Sequence, residues 1–210
     1  MVAQHMAGQR KVTFHGTAGI LEGMLHSPNK APKAIAVVAH PLPTMGGTMD
    51  NKVATTLTRT FVELGYAVLR FNFRGVGASV GSYDEGNGET EDAIAAANFL
   101  KETYPDLPLI CAGFSFGGYV QSRAASELNP DKLVLIAPAV GRFEMPNVPE
   151  NTLVVHGDVD DVVPLDEVLH WARPMQLPVI VLTGAEHFFH GRLTQLKQIV
   201  MQHFIAQANE

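Results

Sequence analysis

Short, almost entirely apolar segments alternate along this chain with longer segments of mixed polarity. An apolar run such as residues 34–39 is typical of a strand that is buried on both faces of a sheet. A longer segment such as residues 52–64, which is followed by Gly65, is typical of a helix that ends at a glycine. The pattern therefore predicts strands that alternate with helices.

The individual elements follow from the same periodicities and from the glycine and proline signals at their ends. The pattern predicts strands at residues 11–15, 19–26, 34–39, 67–71, 107–112, 132–136, 152–156 and 178–182, and helices at 52–64, 89–102, 164–172 and 191–206, with a further helix that opens near Gly118. The first two strands should pair in an antiparallel hairpin around residues 16–18. The remainder predicts an α/β fold, a mostly parallel central sheet with helices on both faces, and such sheets place their sites at the carboxyl ends of the strands.

Composition limits the classes of function. A chain of 210 residues with 46% hydrophobic and 17% charged residues is typical of a single globular domain spanning 1–210. The net charge of −6 and the lack of a basic run argue against a nucleic-acid partner. No apolar run is long enough for a membrane span, and residues 1–10 contain no apolar signal segment. With one cysteine, Cys111, these features predict a cytoplasmic protein that has no membrane partner.

The residues 113–117 read Gly-Phe-Ser-Phe-Gly, a G-x-S-x-G motif with Ser115 at its centre. The motif lies between the apolar segment 107–112 and the predicted helix. Strand, sharp turn and helix form the geometry that exposes a serine hydroxyl as a nucleophile. The sequence therefore predicts that Ser115 is a catalytic nucleophile.

A serine nucleophile needs a base within hydrogen-bond reach and an acid that orients the base. The chain offers candidates for both at the ends of later predicted strands, in the order Ser, Asp, His. Residues 158–161 contain three aspartates, Asp158, Asp160 and Asp161, and residues 187–190 contain two histidines, His187 and His190. The spacing alone leaves these alternatives open.

Four stretches together resemble the α/β-hydrolase superfamily, and within it the small, lidless, esterase-like branch that includes dienelactone-hydrolase-like proteins. They are HPLPTMGGTMDNK from residue 40, RFNFRGVGAS from 70, GFSFGG from 113, and HGDVDDVVP from 156 together with GAEHFF from 184. The resemblance extends over residues 34–190. It implies a cofactor-independent and metal-independent serine hydrolase that acts on a small-molecule acyl substrate such as a carboxylic ester.

The resemblance also implies roles for particular residues. The pattern G-x-x-D-x-x-V-P selects Asp160 as the acid. The two aromatic residues that follow His187, Phe188 and Phe189, select it as the base, and both rings should pack beside its imidazole. The oxyanion hole requires two backbone N–H groups. One belongs to Phe116, which follows the nucleophile. The other should come from residues 40–43, where the prolines have no N–H and position favours Leu42 over His40.

Other features have plainer interpretations. His40 and His156 lie at strand ends, where an imidazole can tie two loops together. Arg74 should brace loops near the site, and Gly75–Gly77 lacks the third glycine of a dinucleotide-binding loop. Residues 139–151 are too few to fold as a cap domain. A peptidase, a thioesterase or a non-catalytic binding protein remain alternatives to the ester hydrolase, and the sequence does not indicate the oligomeric state.

Overall fold

The computed structural model describes residues 8–207, and within this range eight strands form one sheet. The strands are β1 (Gly8–Gly16), β2 (Gly19–Ser27), β3 (Ile35–Ala39), β4 (Ala67–Phe71), β5 (Leu109–Phe114), β6 (Lys132–Ile136), β7 (Leu153–Gly157) and β8 (Val179–Leu182). Their order across the sheet is β1-β2-β4-β3-β5-β6-β7-β8. Strand β2 is antiparallel to both of its neighbours, β1 and β4, and each neighbouring pair from β4 to β8 in this order is parallel.

Helices cover both faces of this sheet. They are α1 (Lys52–Glu63), α2 (Asn87–Thr103), α3 (Phe116–Leu128), α4 (Leu165–Ala172) and α5 (Leu193–Gln207), with short 3₁₀ turns at Pro43–Met45 and Arg173–Met175. One hydrophobic core packs α2, α3 and α4 against one face of the sheet. A second core packs α1 and α5 against the opposite face. The predicted fold class, an α/β-hydrolase-like sheet with helices on both sides, is therefore confirmed.

The element boundaries differ from the predicted ones by a few residues, and prolines explain two of the differences. Strand β5 begins at Leu109 and β8 at Val179, each directly after a proline that the predicted strand includes. Proline has no N–H to donate to a strand ladder. At the first of these positions Pro108 contributes its carbonyl alone, which accepts a hydrogen bond from Ile35.

The segment between β6 and β7 contains no cap domain. Residues 137–152 form turns and one isolated bridge between Val140 and Phe143, and they contain neither a helix nor a regular strand. The carboxyl ends of β5, β6 and β7 are therefore not covered by an inserted domain. Within residues 8–207, no helix is both long and apolar enough to cross a bilayer.

Candidate active site

Ser115 occupies a strained turn between the end of β5 and the start of α3. Its backbone has φ 53° and ψ −116°, which places a non-glycine residue at positive φ. Such a conformation costs free energy and persists only where the surroundings hold it. Here the N–H of Ser115 donates to the carbonyl of Ile136 on β6 with 2.9 Å between the atoms. The turn is therefore held by the neighbouring strand.

The two glycines of the motif allow close backbone contacts around this turn. A Cβ added to Gly113 would lie 2.2 Å from the carbonyl oxygen of Gly117. A Cβ added to Gly117 would lie 2.4 Å from the carbonyl oxygen of Ala39 at the end of β3. Both distances are below any real Cβ contact, so a larger side chain at either position would push α3 away from the sheet.

His187 follows β8 and connects the serine to an aspartate. Its Nε2 lies 3.0 Å from the Oγ of Ser115, and its Nδ1 lies 2.7 Å from Oδ2 of Asp160. Because a carboxylate accepts hydrogen bonds, Nδ1 carries the proton and Nε2 is left to accept one from the serine hydroxyl. All three side chains are largely buried. The structure therefore brings together the serine, the acid and the base that the sequence predicts.

Asp160 lies in the loop after β7, and the backbone fixes its orientation. Its Oδ1 accepts hydrogen bonds from the N–H groups of Val162 and Val163, at 2.9 and 2.8 Å. Burial by itself would raise the pKa of Asp160, but the hydrogen bond from His187 and those from Val163 and Val162 outweigh it and hold this pKa below its ordinary value. The carboxylate is thus kept charged beside the imidazole.

The alternative candidates for the acid and the base, Asp158, Asp161 and His190, lie away from Ser115. Asp158 is exposed and its Oδ1 accepts from the N–H of Gly184 at 2.5 Å, while Asp161 is also exposed. His190 is exposed and pairs with Glu186, with 2.5 Å between Nδ1 and Oε1. None of these side chains contacts Ser115.

One detail of the expected packing around the imidazole is wrong. The sequence predicts that Phe188 and Phe189 both flank His187. The ring of Phe188 does, with 5.1 Å between centroids, but Phe189 turns away and is fully buried in the core beneath α5. The second aromatic neighbour is Phe114 of β5, at 5.0 Å. Consecutive residues at a turn point in different directions, and Phe189 has a φ of 55°.

The backbone N–H groups of Leu42 and Phe116 are available at this site. Neither donates a hydrogen bond to any residue that the structure describes. Leu42 lines the same cavity as Ser115, and Phe116 is the first residue of α3. A Cβ on Gly47 would lie 2.1 Å from the carbonyl oxygen of Pro41, so this glycine lets the loop fold back tightly behind Leu42.

His156 packs against the loop that carries Asp160. The imidazole is fully buried, and its Nε2–H donates to the carbonyl of Val163 at 2.8 Å while lying 3.5 Å from Oδ2 of Asp160. Burial lowers the pKa of His156, although the hydrogen bond to Val163 and the charge of Asp160 partly oppose this. The neutral ring ties β7 to the Asp160 loop, in agreement with the structural role predicted for it.

Arg74 braces the loop after β4, as expected from the sequence. Its Nη2 lies 2.9 Å from Oδ1 of Asp92 and its Nε lies 3.1 Å from Oδ2, so that the guanidinium contacts both carboxylate oxygens of this residue in α2. Arg74 also donates to the hydroxyl of Thr17 in the β1–β2 turn. This side chain lies outside the cavity beside Ser115.

A cavity of about 230 Å³ opens beside Ser115. Its lining residues are Pro41, Leu42, Met45, Gly46, Gly47, Asn51, Ser115, Arg142, Val162, His187 and Phe188. Two of them, Asn51 and Arg142, are polar side chains that sequence reasoning missed. Asn51 lies within the stretch 40–52 that resembles the family, but nothing in that stretch marks it as a cavity residue, and Arg142 lies outside all of these stretches. Within residues 8–207, no cluster of three or more His, Cys, Asp or Glu side chains could hold a metal ion.

A family model matches more than half of the chain. The family is described as "Serine aminopeptidase, S33", and the match covers residues 30–151. Among curated proteins, an uncharacterised protein of Rickettsia prowazekii is 29% identical over 93% of this chain and 88% of its own length. A lysophosphatidylserine lipase of Xenopus tropicalis is 33% identical, but over 44% of this chain and 25% of the lipase.

Solved structures extend the similarity to the whole fold. An α/β serine hydrolase without a lid from Xanthomonas campestris is 37% identical, with a TM-score of 0.92 over 96% of both chains. An α/β serine hydrolase homologue from Coxiella burnetii is also 37% identical, with a TM-score of 0.84 over 94% of this chain and 97% of that one. An esterase from Pyrococcus furiosus, at 18% identity and a TM-score of 0.79 over 95% and 93% of the two chains, shares the fold.

Proposed function

We propose that this chain, which belongs to the α/β-hydrolase family described as serine aminopeptidase, S33, hydrolyses a small carboxylic ester through an acyl-serine intermediate. The observation that carries the proposal is the chain of contacts from Ser115 to His187 to Asp160, at 3.0 and 2.7 Å. This is the arrangement of nucleophile, base and orienting acid that acyl transfer requires.

In the proposed acylation step, Ser115 Oγ attacks the ester carbonyl carbon while His187 Nε2 takes its proton. Asp160 holds the proton on Nδ1, so that the correct nitrogen is free to accept, and stabilises the imidazolium that forms. The negative charge that develops on the carbonyl oxygen is stabilised by the N–H groups of Leu42 and Phe116. The bond to the alcohol then breaks, and the imidazolium returns its proton to the leaving oxygen.

Deacylation repeats the sequence with water. His187 Nε2 takes a proton from a water molecule, the hydroxide attacks the acyl carbon, and the tetrahedral intermediate collapses to the carboxylic acid and the free Ser115 hydroxyl. No residue outside the site is needed to supply or remove protons, because the imidazole accepts one and gives one back in each half-reaction.

The family description makes a peptidase the second candidate. An aminopeptidase has to bind a protonated amino terminus, and a carboxylate is the usual partner for an ammonium group. Within the part of the chain that the structure describes, no Asp or Glu side chain lines the cavity beside Ser115, and one permanently charged residue, the cation Arg142, does. This charge pattern favours an ester over the amino terminus of a peptide.

The test combines labelling with turnover. A fluorophosphonate probe should modify Ser115, and p-nitrophenyl esters of short acyl groups should be hydrolysed faster than aminoacyl p-nitroanilides or acyl thioesters. Ser115→Ala should lower kcat by a factor on the order of 10⁶. Ser122→Ala is the matched control, since Ser122 is a buried serine of α3 whose hydroxyl donates to Gly118 within the helix.

Three outcomes would contradict the proposal. Labelling at Ser79 or Ser122 would assign the nucleophile to that serine in place of Ser115. Faster turnover of the p-nitroanilides would replace the ester by a peptide substrate, and binding of acyl compounds with no turnover would leave a non-catalytic protein with this fold.

We also propose a cytoplasmic location. What supports it is that the sequence contains one cysteine, Cys111, which cannot form a disulfide within the chain, and disulfides are typical of proteins from oxidising compartments. Fractionation of cells that express the full chain tests this, and recovery of the protein outside the cytoplasm would contradict it.

A further inference from the structure

The polar groups around the cavity beside Ser115 are mostly hydrogen-bond donors. Apart from the reacting pair, Ser115 and His187, the polar side chains in the lining are those of Asn51 and Arg142. The N–H groups of Leu42 and Phe116 add two further donors without a partner in the described residues. These donors favour a ligand that supplies acceptors.

Among residues 8–207, Arg142 is the only permanently charged side chain that lines the cavity. It lies in the loop after β6, is exposed, and forms no hydrogen bond or ion pair with any residue that the structure describes. Two carboxylates are close to it along the chain or in the structure: Glu144 is two residues further along the same loop, and Glu167 of α4 lies beside Gly141. Neither of them pairs with Arg142, so its guanidinium is free to bind a ligand.

Asn51 presents a donor to the same cavity. Its Oδ1 caps α1 and accepts from the N–H groups of Val53 and Ala54, at 2.8 and 3.4 Å. With the oxygen engaged in the cap, the amide NH₂ is the polar group that Asn51 has left to offer. The start of α1 at this position also places the positive end of a helix dipole at the cavity.

We propose that the substrate of this site carries an anionic group, a carboxylate or a phosphate, which Arg142 binds with help from the amide of Asn51. The proposal rests on the proposed ester hydrolysis and adds the substrate class to it. A planar guanidinium binds either anion through two parallel hydrogen bonds. The protein has a net charge of −6, which repels anions at long range. At physiological salt this repulsion is screened beyond about 8 Å, so the nearby charge of Arg142 determines whether an anion binds in the cavity.

The anion can belong to the acyl part of the ester or to its alcohol part, and matched pairs of substrates distinguish the two. The acyl pair is p-nitrophenyl hemisuccinate against its methyl ester. The alcohol pair is phenyl acetate with a meta carboxylate against the same compound with a meta methyl ester. In each pair the reacting carbonyl is the same and the charge changes.

For one of the two pairs, kcat/KM of the wild type should be higher for the anionic member, and this ratio should fall as salt is added. Arg142→Gln should lower the ratio about tenfold. Arg142→Lys should restore part of it, since the charge remains and the forked geometry is lost. Arg173→Gln is the control, because it removes an exposed arginine at the far end of α4 and should leave the ratio unchanged.

Two results would overturn the inference and leave the proposed function standing. One is a wild-type kcat/KM that is equal for the neutral and the anionic member of both pairs. The other is a ratio of anionic to neutral kcat/KM that is the same in Arg142→Gln as in wild type. Calorimetric titration with succinate, benzoate and inorganic phosphate tests the anion site independently of ester hydrolysis. Binding of one of these anions that weakens about tenfold in Arg142→Gln, in a chain that hydrolyses no ester, would support the anion site and refute ester hydrolysis. Absence of anion binding together with absence of any charge preference would refute the site.

Discussion

The backbone N–H of Phe73 donates a hydrogen bond to Nε2 of His40, with 3.1 Å between the two nitrogens. The opposite ring nitrogen, Nδ1, donates to the carbonyl of Pro41 at 2.7 Å. The imidazole thus joins the loop that carries Leu42 to the loop after β4, and both bonds require the neutral ring with its proton on Nδ1. Burial lowers the pKa of His40 to about 4, although the hydrogen bond to Pro41 opposes this shift.

The first prediction concerns stability against pH. The unfolded chain protonates His40 at its ordinary pKa of 6.5, whereas the folded state resists protonation down to about pH 4. The stabilisation is therefore fully present above pH 6.5 and is lost as the pH falls from 6.5 towards 4. The shift corresponds to a decrease in the free energy of unfolding on the order of 3 kcal/mol. Urea unfolding at a series of pH values measures it.

His40→Gln should be less stable than wild type at pH 7.5 and should show a flatter dependence on pH between 6.5 and 4. Some slope should remain, because burial and the nearby Arg70 and Arg59 lower the pKa of His26 to about 4 as well. His15→Gln, which replaces an exposed histidine of β1, should keep the wild-type slope. An unchanged slope in His40→Gln would contradict the prediction.

The second prediction concerns the acid. Asp160→Asn should leave the fold intact and lower kcat by a factor on the order of 10⁴, because an amide no longer fixes the proton on Nδ1 of His187. Asp158→Asn and Asp161→Asn change the same charge on exposed neighbours that do not contact the imidazole, so their kcat should stay within about twofold of wild type. Steady-state kinetics with a p-nitrophenyl ester measures all three, and a larger loss in Asp161→Asn would place the acid one residue further along the loop.

The third prediction concerns the base. Since the neutral imidazole alone can take the Ser115 proton, kcat/KM should be low where the base is protonated and should rise with pH. His187→Ala should remove this rise together with most of the activity. His190→Ala removes an exposed imidazole that pairs with Glu186. In this variant kcat/KM should rise over the same pH range as in wild type. A pH profile that moves in His190→Ala and not in His187→Ala would assign the base to His190.

The fold class and the neighbourhood of Ser115 could be predicted because local patterns determine them. Apolar segments that are buried on both faces predict central strands such as β3 and β5. Gly113 and Gly117 mark a place where strand and helix backbones come too close for a side chain, and such glycines are readable in a sequence without any knowledge of the fold.

The composition of the cavity could not be predicted in the same way. Asn51 and Arg142 are more than 90 positions apart, and they line one cavity only because β3 and β6 both lie next to β5 in the sheet. The strand order follows from packing over the whole chain, and a periodicity along the sequence does not contain it. The different orientations of Phe188 and Phe189 could not be predicted either, because they depend on the backbone conformation of one turn, where Phe189 has a φ of 55°.

The last prediction is that the enzyme prefers short acyl groups. The cavity of about 230 Å³ is smaller than the roughly 300–1,000 Å³ typical of sites for drug-sized ligands. Residues 137–152 form no cap above it, and Phe188 at its edge is 42% exposed. An acyl chain that outgrows the cavity therefore extends into water. Each additional methylene should then gain much less than the roughly 0.8 kcal/mol that full burial provides.

A series of p-nitrophenyl esters from acetate to laurate measures this directly. We expect kcat/KM to reach its maximum at a short acyl group and to decrease beyond about six carbons. The rate should also show no jump when the substrate passes its solubility limit and forms an interface, because residues 137–152 provide no lid that an interface could open. A kcat/KM that rises steadily to laurate would show that a deeper acyl channel exists, and the loop of residues 79–87 after β4 would be the first place to look for it.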